Sequence, residues 1–130
     1  MIEWITQAVV LAIHDQQIAE HGGLNGVRDL PTLESSLARP QQLAAYGEPP
    51  PDIAALAASY AFGIAGKQAF IDGNKRTSSV VTGTFLLLNG YDYAAPADEA
   101  TRLQIWLSVG DGSMSEEKLA SWLRANIVKL

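Results

Sequence analysis

Apolar residues recur at helical spacing along nearly the whole chain, and glycine, proline and capping residues break the runs. Val9, Val10, Ile13 and Ile18 fall roughly on one face of a first helix. Thr6 is its N-cap, and it runs to about Glu20 before Gly22-Gly23 ends it. Asn25-Gly26, flanked by Leu24 and Val27, has the composition of a tight hairpin turn, so a short flap is expected near residues 23–28. Pro31 suits the first turn of a second helix that extends through Ala38, and Pro40 is expected to stop it. Residues 41–51 read as an irregular connection closing on Pro49-Pro50-Pro51.

The middle of the chain is the most apolar. Asp52 caps a long helix from Ile53 to about Lys67, small and apolar nearly all round, which predicts a central element packed on several sides. A loop at 68–74 follows. A second apolar helix runs from about Lys75 to Asn89, with Gly90 as its stop. Tyr91–Ala95 is a short extended piece, and a fifth helix spans about Ala97–Val109. Gly110-Asp111-Gly112 breaks it, and Ser113 with Glu116 forms a capping box for a last helix through about Val128. The expectation is an all-α bundle of about six helices, one domain over residues 1–130, with helices 53–67 and 75–89 at its centre.

Composition narrows the classes of function. With 48% hydrophobic and 18% charged residues the chain belongs among ordered globular domains. Its formal charge of −5 argues against direct nucleic-acid binding. It has no cysteine, hence no disulfide framework or thiolate metal site, and its two histidines do not suggest a zinc centre. The run Ile53–Ile64 is too short to cross a bilayer, and Met1-Ile2-Glu3-Trp4 lacks the basic start of a signal peptide, so a cytoplasmic protein is expected.

Against this acidic background, three of the nine Lys and Arg residues, Lys67, Lys75 and Arg76, crowd one short stretch. After Lys67 it reads Gln68-Ala69-Phe70-Ile71-Asp72-Gly73-Asn74-Lys75-Arg76. A Gly-Asn-Lys-Arg turn in isolation is an ordinary solvated turn. Here it joins the two most apolar helices. Gly73 lets successive N–H groups converge, and a helix N-terminus opening at Lys75 favours a bound anion. Lys75 and Arg76 are mildly disfavoured by the positive end of that helix unless a phosphate lies between them. Asp72 is suited to a divalent cation shared with substrate phosphates, and Phe70 to anchoring the loop in the core.

The remaining candidates have plainer readings. His14 is structural, and His21 is a helix C-terminal residue favoured by the dipole. Trp4, Trp106 and Trp122 are core or partner-groove aromatics. Arg28 and Asp29 either fix the flap or form a local ion pair. Asp111 belongs to a surface turn, and Glu116, Glu117 and Lys118 to a solvated helix start.

Residues 68–76 resemble the signature of the Fic/Doc superfamily: His, any residue, Phe, any residue, Asp or Glu, Gly or Ala, Asn, then Lys-Arg in the Doc branch. Gly22-Gly23-Leu24 with Gly26-Val27-Arg28-Asp29, Leu33–Pro40, Tyr60–Gly63 and Leu88–Tyr91 resemble that branch too, in the same order along the chain. The resemblance implies a helical Fic fold and a "death on curing" toxin paired with a Phd-type antitoxin. It implies a protein kinase that uses ATP and Mg²⁺ to phosphorylate a threonine of elongation factor Tu and halt translation. AMP-transferring Fic proteins usually have Gly where this chain has Lys75 and a second Arg where it has Ser79, so the branch implied is Doc. By the same resemblance, Asp72 is the Mg²⁺ carboxylate. Gly73, Asn74, Lys75 and Arg76 form the nucleotide phosphate site, with Arg76 also a catalytic candidate. Leu24, Asn25, Gly26 and Val27 form the flap that docks the target by strand addition. No Ser/Thr-x-x-x-Glu-Gly/Asn inhibitory motif is present.

One position departs from the signature. Gln68 stands where the family has the His expected to act as general base. An amide hydrogen-bonds but does not take up a proton near neutral pH. Three accounts of Gln68 stay open: an inactivating substitution in a toxin, a natural homologue reduced to binding, or natural activity by another route.

Overall fold

The structure is a computed structural model that describes residues 1–130. Six helices dominate it: α1 Gln7–His21, α2 Leu30–Tyr46, α3 Ile53–Lys67, α4 Asn74–Leu88, α5 Glu99–Gly110 and α6 Glu116–Asn126. Two short strands, β1 Tyr91–Tyr93 and β2 Ile127–Lys129, pair antiparallel with Tyr91 opposite Lys129 and Tyr93 opposite Ile127. The all-α architecture expected from the apolar pattern is the one observed. No helix is long and apolar enough to cross a membrane.

The bundle is organised around α3, which packs against α2, α4, α5 and α6. Alanine-rich turns give it high helix propensity and a slim profile, so neighbours approach on every side. At Gly63 that approach is tight: a Cβ there would lie 3.0 Å from Ser36 Cβ of α2. Ser36 Oγ donates to Gly63 O (3.3 Å) across the same contact. On the opposite side a polar relay crosses the core. Trp106 Nε1 of α5 donates to Ser78 Oγ of α4 (2.8 Å), which donates to Ala61 O of α3 (2.8 Å). Tyr60 Oη accepts from Ile5 N (3.1 Å), so the segment before α1 is tied to the centre. Buried polar groups satisfied in this way fix which helix faces meet as well as how tightly.

Several expected boundaries move. Pro40 does not stop α2; the helix runs on to Tyr46. The proline removes one intrahelical bond, but its ring is buried beside Leu33 and Leu37 in the core face, and Gln41–Ala45 continue a helix-forming run. The flap at 23–28 is not a hairpin. Asn25 Oδ1 accepts from Gly26 N (2.9 Å), and Val27 forms an isolated antiparallel bridge with Phe70. The partner strand comes from the distant 68–74 loop, because Val27 and Phe70 can both turn inward there. The last helix is capped by Ser115, whose side chain accepts from Lys118 N, in place of Ser113. It ends at Asn126, where β2 departs to pair with β1. α5 begins at Glu99 behind the cap Asp98, two residues later than expected from Ala97.

Candidate functional site

The loop between α3 and α4 is held by hydrogen bonds to its main chain, from the flap backbone and from the side chains of Arg28, Asn74 and His14. It begins at Gln68, the C-cap of α3, with φ 53° and ψ 54°. It is the one non-glycine residue of the chain with positive φ. That left-handed conformation costs a long side chain more than it costs His, Asn or Asp. The carbonyl of Gln68 accepts from the Arg28 guanidinium. The next carbonyl, Ala69 O, accepts from Arg28 N (2.8 Å) and Asp29 N (3.1 Å), and Ile71 N donates to Gly26 O (3.1 Å). The flap and the loop are therefore stitched together, while the Gln68 side chain is exposed.

Phe70 is fully buried and stacks on His14 of α1, with centroids 3.8 Å apart and planes 9° from parallel. Asn74 closes the turn from the other end. Its Oδ1 accepts from Phe70 N (3.0 Å) and its Nδ2 donates to Phe70 O (3.0 Å). Both ends of that amide are engaged on Phe70, and the main-chain N–H of Asn74 stands in the uncapped first turn of α4, open to a phosphate. Asp72 is exposed, yet two neighbours hold it. His14 Nε2 lies 2.8 Å from its carbonyl, and its Oδ2 accepts from Leu24 N (2.9 Å). Gly23, at φ +113°, makes that contact possible: a Cβ there would sit 3.2 Å from Asp72 Cβ.

α4 then starts without a cap. Thr6, Asp29, Asp52, Asp98 and Ser115 each place a side-chain oxygen on the first turn of their helix; Gly73 places none. The N–H groups of the first turn of any helix lack intrahelical acceptors, and these are left for an outside anion. Lys75 and Arg76 are exposed beside them. The stem of Lys75 lies against α5, where a Cβ on Gly110 would come within 2.6 Å of its Cδ. Asp111 beyond it is held below the usual carboxylate range, by Ser113 hydrogen bonds first and the Lys75 charge last.

A cleft of about 800 Å³ opens from this turn and runs between α4, α5 and β1. Gly73, Asn74, Lys75, Arg76 and Ser79 form its basic end, Leu87, Leu103 and Leu107 its apolar side. Gln17 and His21 of α1 and Arg102 of α5 also line it, three residues whose place there the sequence pattern does not show. Arg102 lies 4.7 Å from the Tyr93 ring centre, and burial pushes the Tyr93 phenol above its ordinary range. Gln68 and Asp72 are not in the cleft lining. They belong to the flap side of the same turn. No group of three or more His, Asp or Glu residues converges anywhere. A cation at Asp72 would need its remaining ligands from phosphate and water, which is how Mg²⁺ is commonly held.

A turn with an uncapped helix start between two apolar helices, stitched to a glycine-rich flap, is a whole-fold feature, and the comparison with known families agrees with it. The Fic/DOC family model matches residues 4–86, from before α1 to near the end of α4. The chain belongs to the Fic/DOC family. It is 30% identical over 120 residues to "Protein kinase doc" of Escherichia phage P1, spanning 92% of each chain. It is 38% identical over 77 residues to "Toxin Doc" of Mycolicibacterium smegmatis, spanning 59% of each. Both relatives are Doc proteins, in keeping with the branch indicated by Lys75 and Ser79.

The other residues singled out from sequence fall as follows. Arg28 fixes the flap, through Gln68 O. Asp29 makes no ion pair with it and instead caps α2 through Thr32 N (3.1 Å). Trp106 is core, and Asp111 caps its own turn through Ser113 N (2.8 Å). His14 is buried as expected of a structural residue, but its bond to Asp72 gives it a place in the site.

Proposed function

We propose that this chain is a Doc-type toxin with a phosphoryl-transfer site, impaired at its proton-accepting position. The reading is supported above all by the uncapped N-terminus of α4, which starts two residues after the exposed Asp72 and bears the basic pair Lys75–Arg76. The nucleotide is ATP, with its terminal phosphates on the first turn of α4. Its Mg²⁺, at Asp72, supplies neutralisation of charge on the phosphate oxygens. The main-chain N–H groups of Asn74, Lys75 and Arg76 orient the phosphates, and the two side-chain cations offset charge that builds in the transition state. Positioning and electrostatics carry most of the catalysis in this reaction class, and neither needs residue 68.

The acceptor is a protein hydroxyl, with elongation factor Tu as the target and the flap Leu24–Val27 as the docking edge. The hydroxyl oxygen forms a bond to the γ-phosphorus as the bond to the β,γ-bridging oxygen breaks, and its proton must leave. A base at position 68 would take that proton. The Gln68 amide does not, and general-base assistance is typically worth about 10²–10⁴-fold in rate. A Phd-type antitoxin fits the apolar side of the cleft at Leu87, Leu103 and Leu107, where an amphipathic segment would bury three exposed leucines next to the basic turn. The reading includes no direct nucleic-acid partner and a cytoplasmic location.

The deciding experiment is Gln68→His. His suits the left-handed backbone at this position better than Gln, so the fold should be kept. Labelling of elongation factor Tu from γ-labelled ATP should rise by about 10²–10⁴-fold. No gain with a folded variant would sink the impaired-kinase reading and leave a nucleotide- or antitoxin-binding module. Label arriving from the α-phosphate instead would make the chain an AMP-transferring enzyme.

A further inference from the structure

His14 is 2% exposed, comes from a helix outside the signature, and makes two contacts with the loop. Its ring lies flat on Phe70, and its Nε2 is 2.8 Å from Asp72 O. A carbonyl only accepts, so Nε2 carries the hydrogen and the bond fixes the ring's tautomer and angle together. Packing alone would be served as well by a phenyl ring; the directed N–H is what packing does not need. Next to it, a Cβ on Gly73 would meet Ile18 Cδ1 at 3.2 Å and His14 Nε2 at 3.7 Å, so the same face of α1 shapes both residues on which the carboxylate depends. The second hold on Asp72 is Leu24 N on Oδ2. With the main chain fixed by α1 and one oxygen fixed by the flap, the carboxylate has little freedom left.

We propose that His14 is a positioning residue for the metal-binding carboxylate. Its Nε2–H anchors the Asp72 carbonyl, so that the side chain presents its oxygen to a divalent cation without a conformational search. This rests on the reading of Asp72 as the Mg²⁺ ligand. Partners one step behind a metal ligand commonly cost about 10-fold to 100-fold in metal affinity when lost.

The test is binding, read on the full chain with Mg²⁺ and the non-hydrolysable analogue adenylyl imidodiphosphate, each titration repeated in chelator. His14→Phe keeps the stack on Phe70 and removes the donor. It should lower the Mg²⁺-dependent part of the affinity by about 10-fold to 100-fold and leave binding in chelator unchanged. His14→Gln restores a donor of comparable reach and should recover most of the loss. An unchanged Mg²⁺ dependence in folded His14→Phe overturns the role of His14. So does equal loss with and without metal, which marks a merely structural residue. If His14→Phe fails to fold, His14→Gln alone decides: a loss as large as that of Asp72→Ala overturns the proposal. A parent chain with no metal-dependent nucleotide binding overturns the nucleotide reading itself, and this proposal with it, a result distinct from any of the others.

Discussion

Residues 68–73 and the first turn of α4 are consecutive in the chain, yet their polar groups are used in opposite ways. In the first stretch nearly every main-chain group named has a partner inside the protein: Gln68 O with Arg28, Ala69 O with two flap N–H groups, Phe70 with Asn74, Ile71 N with Gly26. In the second, Gly73 provides no cap and the basic side chains are exposed. The contrast separates held main chain from open anion site within nine residues; Asp72 is the exposed side chain of the first stretch, and the Asn74 amide turns back from the second to hold Phe70. The satisfied half holds a backbone that includes a left-handed Gln, and the unsatisfied half is left for an outside anion.

The largest effect expected is on the scaffold side. Asn74→Ala leaves the Phe70 N–H and carbonyl without partners at a fully buried residue, and each unsatisfied buried group costs about 1–3 kcal/mol. Unfolding in urea should show a loss of roughly 2–6 kcal/mol on that basis. Asn74→Asp keeps the acceptor for Phe70 N and loses only the donor, so it should fall between parent and Ala. If Asn74→Ala keeps parental stability but loses nucleotide affinity, Asn74 belongs with the open half and the division is misplaced.

Arg76→Ala probes the open half and should do the reverse. Its side chain is exposed and makes no hydrogen bond or ion pair within the chain, so stability should stay within about 0.5 kcal/mol. Affinity for adenylyl imidodiphosphate, read by calorimetry, should fall by about tenfold, the worth of one charge-assisted hydrogen bond. A fall in stability with unchanged affinity would place Arg76 in the scaffold.

The same contrast explains what could be read from the sequence. The helices were legible because their caps and periodic faces are local: Thr6, Asp52 and the apolar runs of α3 and α4 each act within a few residues. The signature loop was legible because its chemistry is contiguous. What stayed hidden depends on distant partners. Pro40 reads as a stop until its ring is seen buried in the core face, and Asn25-Gly26 reads as a hairpin until Val27 pairs with Phe70. His14 reads as a core histidine because its partner, Asp72, is 58 residues away. Asn74 is the exception, a local pair four residues apart: it reads as a phosphate ligand because only the folded turn shows its amide closing on Phe70.

The smallest effect concerns the helices that are capped. Hydrogen bonds hold three carboxylate caps below their ordinary range. For Asp29 the donor is Thr32, for Asp98 it is Thr101, and for Asp52 it is first Arg124 and then Ala55. A carboxyl depressed in the folded state stabilises the protein above the unfolded value of about 3.9 and loses that contribution as pH falls through the folded value. The urea midpoint should therefore hold near neutral pH and decline below about pH 5. Asp52 is half-exposed, so water and salt screen its bidentate contact with Arg124 (2.6 and 2.9 Å), and the decline should be shallow. Asp52→Asn keeps a cap acceptor but has no charge to lose, and should flatten the profile further. α4 has no carboxylate cap, so amide exchange at Ser78, in the turn after its start, should follow global stability without an added acid-sensitive step. An extra step there below about pH 4 would mean that a carboxylate does cap α4, with Asp72 the nearest in sequence, and would remove the distinction between its N-terminus and the other five.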